Sequence, residues 1–405
     1  MTRFSLTYLG TFLLLLSVLS FFNIIYSYYF NLYLNIDAYI YTLIISLFLG
    51  STFLIKKKID GKISIYIKIL TVIIGYLILP LIISIPYYLS IYNVSFLNCY
   101  FESVSGFTST GFTIFENIKH IDESLILWRS SSQWIGGVYF LFSIILLIDI
   151  FDDNLKKSLT NFISFNSTEI FRQSLKILLL YSALTLFLFI VLKLINIRTF
   201  DSFNLSMTII SSGGFLPFNN IDLIINSDFK KIVFSILMLF SYFSLFLSYN
   251  FFYLRKKNLN FFGEDIYLFM YLTFLIIVFF VFFNFDYNFS SILFSIASSI
   301  SNIGISLNNT PNNLFFLFLI LVIIGGSFFS TSSGIRFLKL YLLIKFSINE
   351  LLSHVRPNNV YINRFNLLNI NMHKQDIYKY FLSVIIFIIS LFVISSLLAI
   401  FYFNF

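Results

Sequence analysis

Residues 102–113 read Glu-Ser-Val-Ser-Gly-Phe-Thr-Ser-Thr-Gly-Phe-Thr, a run of small hydroxyl residues and glycines set between two oily stretches. Lipid tolerates non-helical backbone only where protein buries it or where it lines a water-filled cavity, because each unsatisfied amide or carbonyl costs several kcal/mol in hydrocarbon. An interruption of this kind points to a pore or a binding site. Within it, Thr108, Ser109, Thr110 and Gly111 have the make-up of a cation filter. Consecutive carbonyls and hydroxyls replace an ion's water, and glycine permits backbone angles that a side chain forbids.

The rest of the composition sets the solvent. Of 405 residues, 59% are hydrophobic and 11% charged, far outside the soluble globular range and expected of an all-α polytopic membrane protein. A single cysteine, Cys99, excludes an internal disulfide and a Cys-based zinc cluster. His120, His354 and His373 are scattered, and no Walker loop, nucleophile elbow, dinucleotide fingerprint or His-Glu-x-x-His occurs, so neither an enzyme nor a cofactor is expected. The net charge of +8 could suit nucleic acid, but in a membrane chain the position of each charge matters more than the sum, and no nucleic-acid partner is expected.

Interruptions like the first recur at Ile210, Ser211, Ser212 and Gly213 and at Ser301, Asn302, Ile303 and Gly304, each after a short Ser-rich stretch. Recurrence at intervals of roughly a hundred residues implies repeated helix–pore loop–helix units, three complete and one helix of a fourth. Residues 1–58 form a preface of two apolar runs, 4–30 and 38–55; the first is too long for a signal peptide and lacks a cleavage site. Repeat one, 59–151, has a spanning helix at about 64–89 carrying Pro80 and Pro86, a pore helix near 94–105 and a return helix at about 127–150. Repeat two, 152–257, sets helices near 172–196 and 230–254 around a pore helix at 200–209. Repeat three, 258–346, has a helix at 264–284, a pore helix at 288–299 and a segment, 313–346, broken in mid-membrane by 325–334. Residues 347–405 supply a polar cytosolic connector and an apolar run at 377–403, the first helix of the incomplete unit.

Basic residues sort to one side of this arrangement. Lys56, Lys57 and Lys58, then Lys156 and Lys157, then Arg255, Lys256 and Lys257, then the segment 336–379 assign that side to the cytoplasm. Opposite lie the filters with Glu102, Glu116, Asp122, Glu123, Asp201, Asp222, Asp228 and Asp286, which read either as an acidic outer mouth that concentrates cations or as solvated loop carboxylates. Asp149, Asp152 and Asp153 suggest a divalent-metal enzyme, but no second acidic or histidine cluster completes such a site.

Residues 102–113, Trp128 and Arg129, the run 133–137, the Ser-Gly-Gly-Phe element at 212–215, and Gly325, Gly326, Ser330, Thr331, Gly334, Ile335 and Arg336 together resemble the TrkH-like subunits of the Trk/Ktr/HKT potassium transporters. The resemblance runs in order along nearly the whole chain. It implies K⁺ uptake across a bacterial inner membrane by a multi-pass subunit, with K⁺ as cargo and the only metal. It also implies an ion path lined at 108–111, 210–213 and 301–304. Gly325, Gly326, Ser330, Thr331, Ser332, Ser333, Gly334 and Arg336 would form an intramembrane gate below those loops. A cytosolic nucleotide-binding regulatory subunit is the implied partner, and a homodimer is compatible with the resemblance. The competing reading of the small residues is helix-on-helix packing.

Two departures bear on function. Phe328 and Phe329 stand where relatives carry small residues, and Ser332 and Ser333 replace two of three glycines, which implies a stiffer gate. Arg336 would repel entering cations or snorkel to the cytosolic interface. Relatives have four repeats around one pore, whereas three filters are visible here. A second chain supplies the fourth loop, or the chain is a non-conducting truncated or split relative, or the sequence is incomplete. Glycines in all three filters favour K⁺ over Na⁺ by analogy.

Overall fold

The computed structural model describes residues 3–55, 64–147, 170–245, 262–283, 288–307, 314–355 and 374–403. The basic runs at 56–58, 156–157 and 255–257 and the acids Asp149, Asp152 and Asp153 lie outside the described residues.

Oily segments become helices because lipid leaves a backbone few other ways to satisfy itself. α1 (Arg3–Tyr29) and α2 (Ile36–Leu54) form an antiparallel pair that packs on α3 (Ile65–Tyr88). α4 (Phe96–Phe107) dips back between α3 and α5 (Glu123–Leu146). α6 (Ile170–Leu194), α7 (Thr199–Ser211) and α8 (Asp228–Met238) follow, then α9 (Phe262–Phe283), α10 (Phe289–Ser301) and α11 (Phe315–Ile323). α12 (Phe337–Val355) and α13 (Lys374–Phe403) complete the described residues, among which six helices are long and apolar enough to cross a membrane.

Helix starts follow local chemistry. Ser64, Ser95 and Ser227 precede α3, α4 and α8, and each hydroxyl accepts from an N–H three residues on, a donor the helix itself leaves unpaired. α3 accommodates both Pro80 and Pro86. α5 starts at Glu123, a turn earlier than the sequence suggests, and carries the polar run Arg129, Ser130, Ser131, Ser132 and Gln133. It is buried along nearly its whole length against α1, α4 and α7, so protein rather than lipid surrounds its polar groups. α13 is the opposite case: Ile377 and Tyr380 near its start are buried, but no residue from 381 to 400 is, leaving a predominantly apolar surface open.

Two segments differ from expectation. α8 ends at Met238 instead of running on to 254, passing into a tight turn at Leu239–Ser241, and 246–261 lie outside the described residues. The segment 313–346 resolves into α11, a loop and α12. A short parallel pairing of Ile324 with Ile335 and Gly325 with Arg336 pinches the neck of that loop.

Candidate functional site: three loops above a fourth

α4, α7 and α10 end in the same turn. Ser109, Ser212 and Asn302 take left-handed angles (φ 55°, 55° and 58°), and two residues later Gly111, Gly214 and Gly304 have φ of 84°, 81° and 75°. Between them, the N–H groups of Thr110, Gly213 and Ile303 reach back to the carbonyls of Ser105, Thr208 and Ser298 at 2.9, 2.9 and 3.2 Å, closing a left-handed helix cap. The hydroxyls of those same three residues donate forward to the carbonyls of Phe112, Phe215 and Ile305 at 2.5, 2.9 and 2.6 Å. One hydroxyl thus ties each loop to its own helix.

This pattern moves the register of the second loop by one residue. Its counterparts of 108–111 and 301–304 are 211–214, so the glycine with left-handed angles is Gly214 rather than Gly213. The adjacent glycines leave the choice open in sequence; the Thr208 hydrogen bonds decide it. The loops also touch in order. A Cβ added at Gly111 would sit 2.7 Å from the Gly213 carbonyl oxygen, and one at Gly214 would sit 2.6 Å from that of Ile303. Among the described residues nothing lies within 4 Å of a Cβ added at Gly304, so on that side the third loop has no described neighbour. The helices bring their C-terminal, partially negative ends to these loops, a field that favours a cation.

α5 braces the first two loops from behind. Arg129, 1% exposed, donates from Nε to Glu102 Oε1 (2.8 Å) and from Nη2 to Thr113 Oγ1 (2.9 Å). The other Glu102 oxygen accepts from the Ile114 N–H at 2.9 Å. The guanidinium lies 4.3 Å from the Phe215 ring centroid, reaching the second loop. One turn on, Gln133 Nε2 donates to the Gly213 carbonyl at 2.6 Å. Glu102 is therefore not a carboxylate of the outer mouth; it is fully buried, because the neighbouring Arg129 offsets its loss of water. At the rim, Arg198 donates to Glu123 at 2.5 Å. Asp201 nearby is 9% exposed, and burial raises its carboxyl above the ordinary value against the lowering by Arg198.

The loop between α11 and α12 lies directly against these turns. Thr331 Oγ1 donates to the Ile210 carbonyl (2.8 Å), and Asn302 Nδ2 donates to the Ser333 carbonyl (3.1 Å). A cavity of about 90 Å³ separates the layers, lined by Thr108, Ser109, Ser211 and Ser212 above and by Thr331 and Ser333 below. Expected residues of the first two loops and of the loop below thus meet around one space, whose wall also includes Phe107 and Phe140, whereas Ser301, Asn302, Ile303 and Gly304 do not line it. Gly325 and Gly326 sit at the loop's neck, where Gly326 N–H bonds Ser332 Oγ at 2.9 Å, and Gly334 takes φ of 86°.

Arg336 does not snorkel. Its Nη1 turns back into the loop, donating to the Ser327 carbonyl, Ser330 Oγ and the Ser332 carbonyl at 3.1, 3.1 and 2.9 Å. Phe328 and Phe329, expected to crowd the gate, pack into the core at 7% and 2% exposure. Glu264, at the start of α9, accepts from the Phe328 N–H at 2.9 Å; nothing in its sequence neighbourhood announces that contact.

No family profile matches the chain. It is 26% identical over 350 residues to an uncharacterized cation transporter of Methanocaldococcus jannaschii, covering 82% of this chain and 70% of that one. With the Trk system potassium uptake protein TrkI of Halomonas elongata it shares 42% identity over 60 residues, 15% of this chain and 11% of the other. With TrkH of the same organism the identity is 22% over 280 residues, covering 64% of this chain and 57% of that protein. The crystal structure of the potassium transporter TrkH from Vibrio parahaemolyticus superposes with a TM-score of 0.78 at 20% identity, over 94% of this chain and 82% of that one. The chain is thus similar in sequence to a cation transporter and to Trk potassium uptake proteins, and it shares the all-helical fold of a solved TrkH structure.

Proposed function

We propose that the chain is the translocating subunit of a potassium uptake system in the bacterial cytoplasmic membrane. K⁺ enters from the side bearing the three loops and exchanges water for the carbonyls and hydroxyls of 108–111, 211–214 and 301–304. It then passes into the hydroxyl-lined cavity, where the loop 325–336 stands in its way as the gate. The membrane potential drives entry with ~2.3 kcal/mol per charge per 100 mV, so control lies in the gate rather than in an energy source. The observation that carries this reading is the repeated turn, with the glycine of one loop seated against the carbonyl of the next.

The open flank at Gly304 calls for a fourth wall, which a second chain would supply. It also supports the second reading, a relative that conducts only after assembly. Regulation comes from cytosolic nucleotide-binding subunits docked on the basic face, and a homodimer fits the same architecture. The test is radioactive rubidium uptake in a bacterium stripped of its own potassium uptake systems. The chain is expected to restore uptake and Gly111→Ser to weaken it, since φ of 84° and the Gly213 carbonyl both oppose a side chain there. A well-inserted chain that restores nothing would overturn self-sufficient transport and leave the assembly reading.

A further inference from the structure

In an unbroken helix the Leu245 N–H would bond the Ser241 carbonyl and the Ser244 N–H the Phe240 carbonyl, each four residues back. Here those rungs are exchanged. Leu245 N–H donates to the Phe329 carbonyl at 3.0 Å, and the Ser241 carbonyl accepts from Ser332 N–H at 3.2 Å. Ser327 N–H donates to the Tyr242 carbonyl at 3.0 Å. The Thr331 hydroxyl, which also holds the second loop, lies 3.4 Å from the Ser241 carbonyl. Residues 239–245 contain neither glycine nor proline, so the break needs an outside cause. The loop 325–336 supplies it by occupying the helix's own hydrogen-bonding groups.

Two adjacent carboxylates at the start of α9 hold the joint, one on each side. Glu264 Oε1 accepts from Phe328 N–H of the loop at 2.9 Å, and Asp265 Oδ1 accepts from Ser244 N–H of the broken turn at 3.1 Å. Each acceptor serves a backbone N–H of the joint.

We infer that residues 241–245 are the latch of the gate, that latch and gate loop open as one body, and that Glu264 and Asp265 are the positioning residues that keep them joined. The inference rests on reading 325–336 as the gate. When the loop departs, the Leu245–Ser241 rung re-forms, so the vacated groups are not stranded in the membrane. A segment with two hydrogen-bonded arrangements is the kind of element that gates by switching rather than by gradual deformation.

Amide hydrogen exchange of the whole purified chain in detergent micelles tests this without requiring ion flux. In the unaltered chain, 241–245 and 326–332 should exchange with one opening free energy and one temperature dependence, as a single cooperative unit. Asp265→Ala, which touches only the turn, should speed exchange in both segments by about fivefold, the factor for losing an ordinary hydrogen bond. Faster exchange confined to 241–245, or separate opening of the two segments in the unaltered chain, would overturn the inference. The second criterion stands even if the variant does not fold. Rubidium uptake measured in parallel separates the failures: uptake with independent opening defeats only the latch, and joint opening without uptake defeats only the transporter.

Discussion

Glu102 and Arg129 are both essentially out of reach of water and 2.8 Å apart, so neither charge loses its partner cheaply. Breaking a buried pair from one side costs ~3–5 kcal/mol, because the remaining ion stays dehydrated. Arg129→Ala should lower the thermal unfolding midpoint of the purified protein by that equivalent. Arg129→Lys should fall between, since a lysine still reaches Glu102 but loses the fork to Thr113 and the flat stack on Phe215. A midpoint for Arg129→Ala unchanged to within about 0.5 kcal/mol, the range of ordinary surface substitutions, would remove the pair from any account of the filter's rigidity. At this scale sequence was informative in kind and silent about partners. A lone arginine in an oily helix signals function, yet its link to Glu102, 27 positions away, exists only once α4 folds back onto α5. The pair Gly213 and Gly214 likewise announces a special turn without saying which residue makes it.

Between elements, the tightest approach at the site is that of α5 to the end of α4. A Cβ at Gly136 would stand 2.0 Å from the Phe107 carbonyl oxygen, and backbone cannot swing aside as a long side chain can. Gly136→Ala should therefore force the two helices apart, cost about 1–3 kcal/mol as overpacking does, and broaden the elution of detergent-extracted protein. Wild-type yield and elution would mean that α4 and α5 pack less closely than 2.0 Å implies. Helix existence followed from hydropathy for α1, α2, α3, α6 and α9, and the loop 325–336 was legible from Gly325, Gly326 and Gly334, which no continuous helix would collect. The break after Met238 was not legible. Its residues are ordinary helix and strand formers, and its cause lies nearly ninety residues later in the chain, in backbone groups whose chemistry every residue shares.

For the molecule as a whole, the sidedness of the charges ties the fold to a direction of ion movement. The basic segments assigned to the cytoplasm lie partly outside the described residues, so orientation rests on the rule that lysine and arginine stay on that side. On that rule the turn holding Lys119, which follows the first loop, lies on the outer side, and Ser347, on α12 after the loop 325–336, lies on the cytoplasmic side. Both side chains are exposed, and Cys99, the chain's single cysteine, is fully buried, so the parent protein should be silent to a membrane-impermeant maleimide. Lys119→Cys should label in intact cells, and Ser347→Cys only after permeabilisation. The reverse pattern would place the three loops in the cytoplasm and turn the gate outward. An inward-directed potential would then drive K⁺ onto the gate before the filter, and the uptake reading would fail on orientation alone, whatever the loops select.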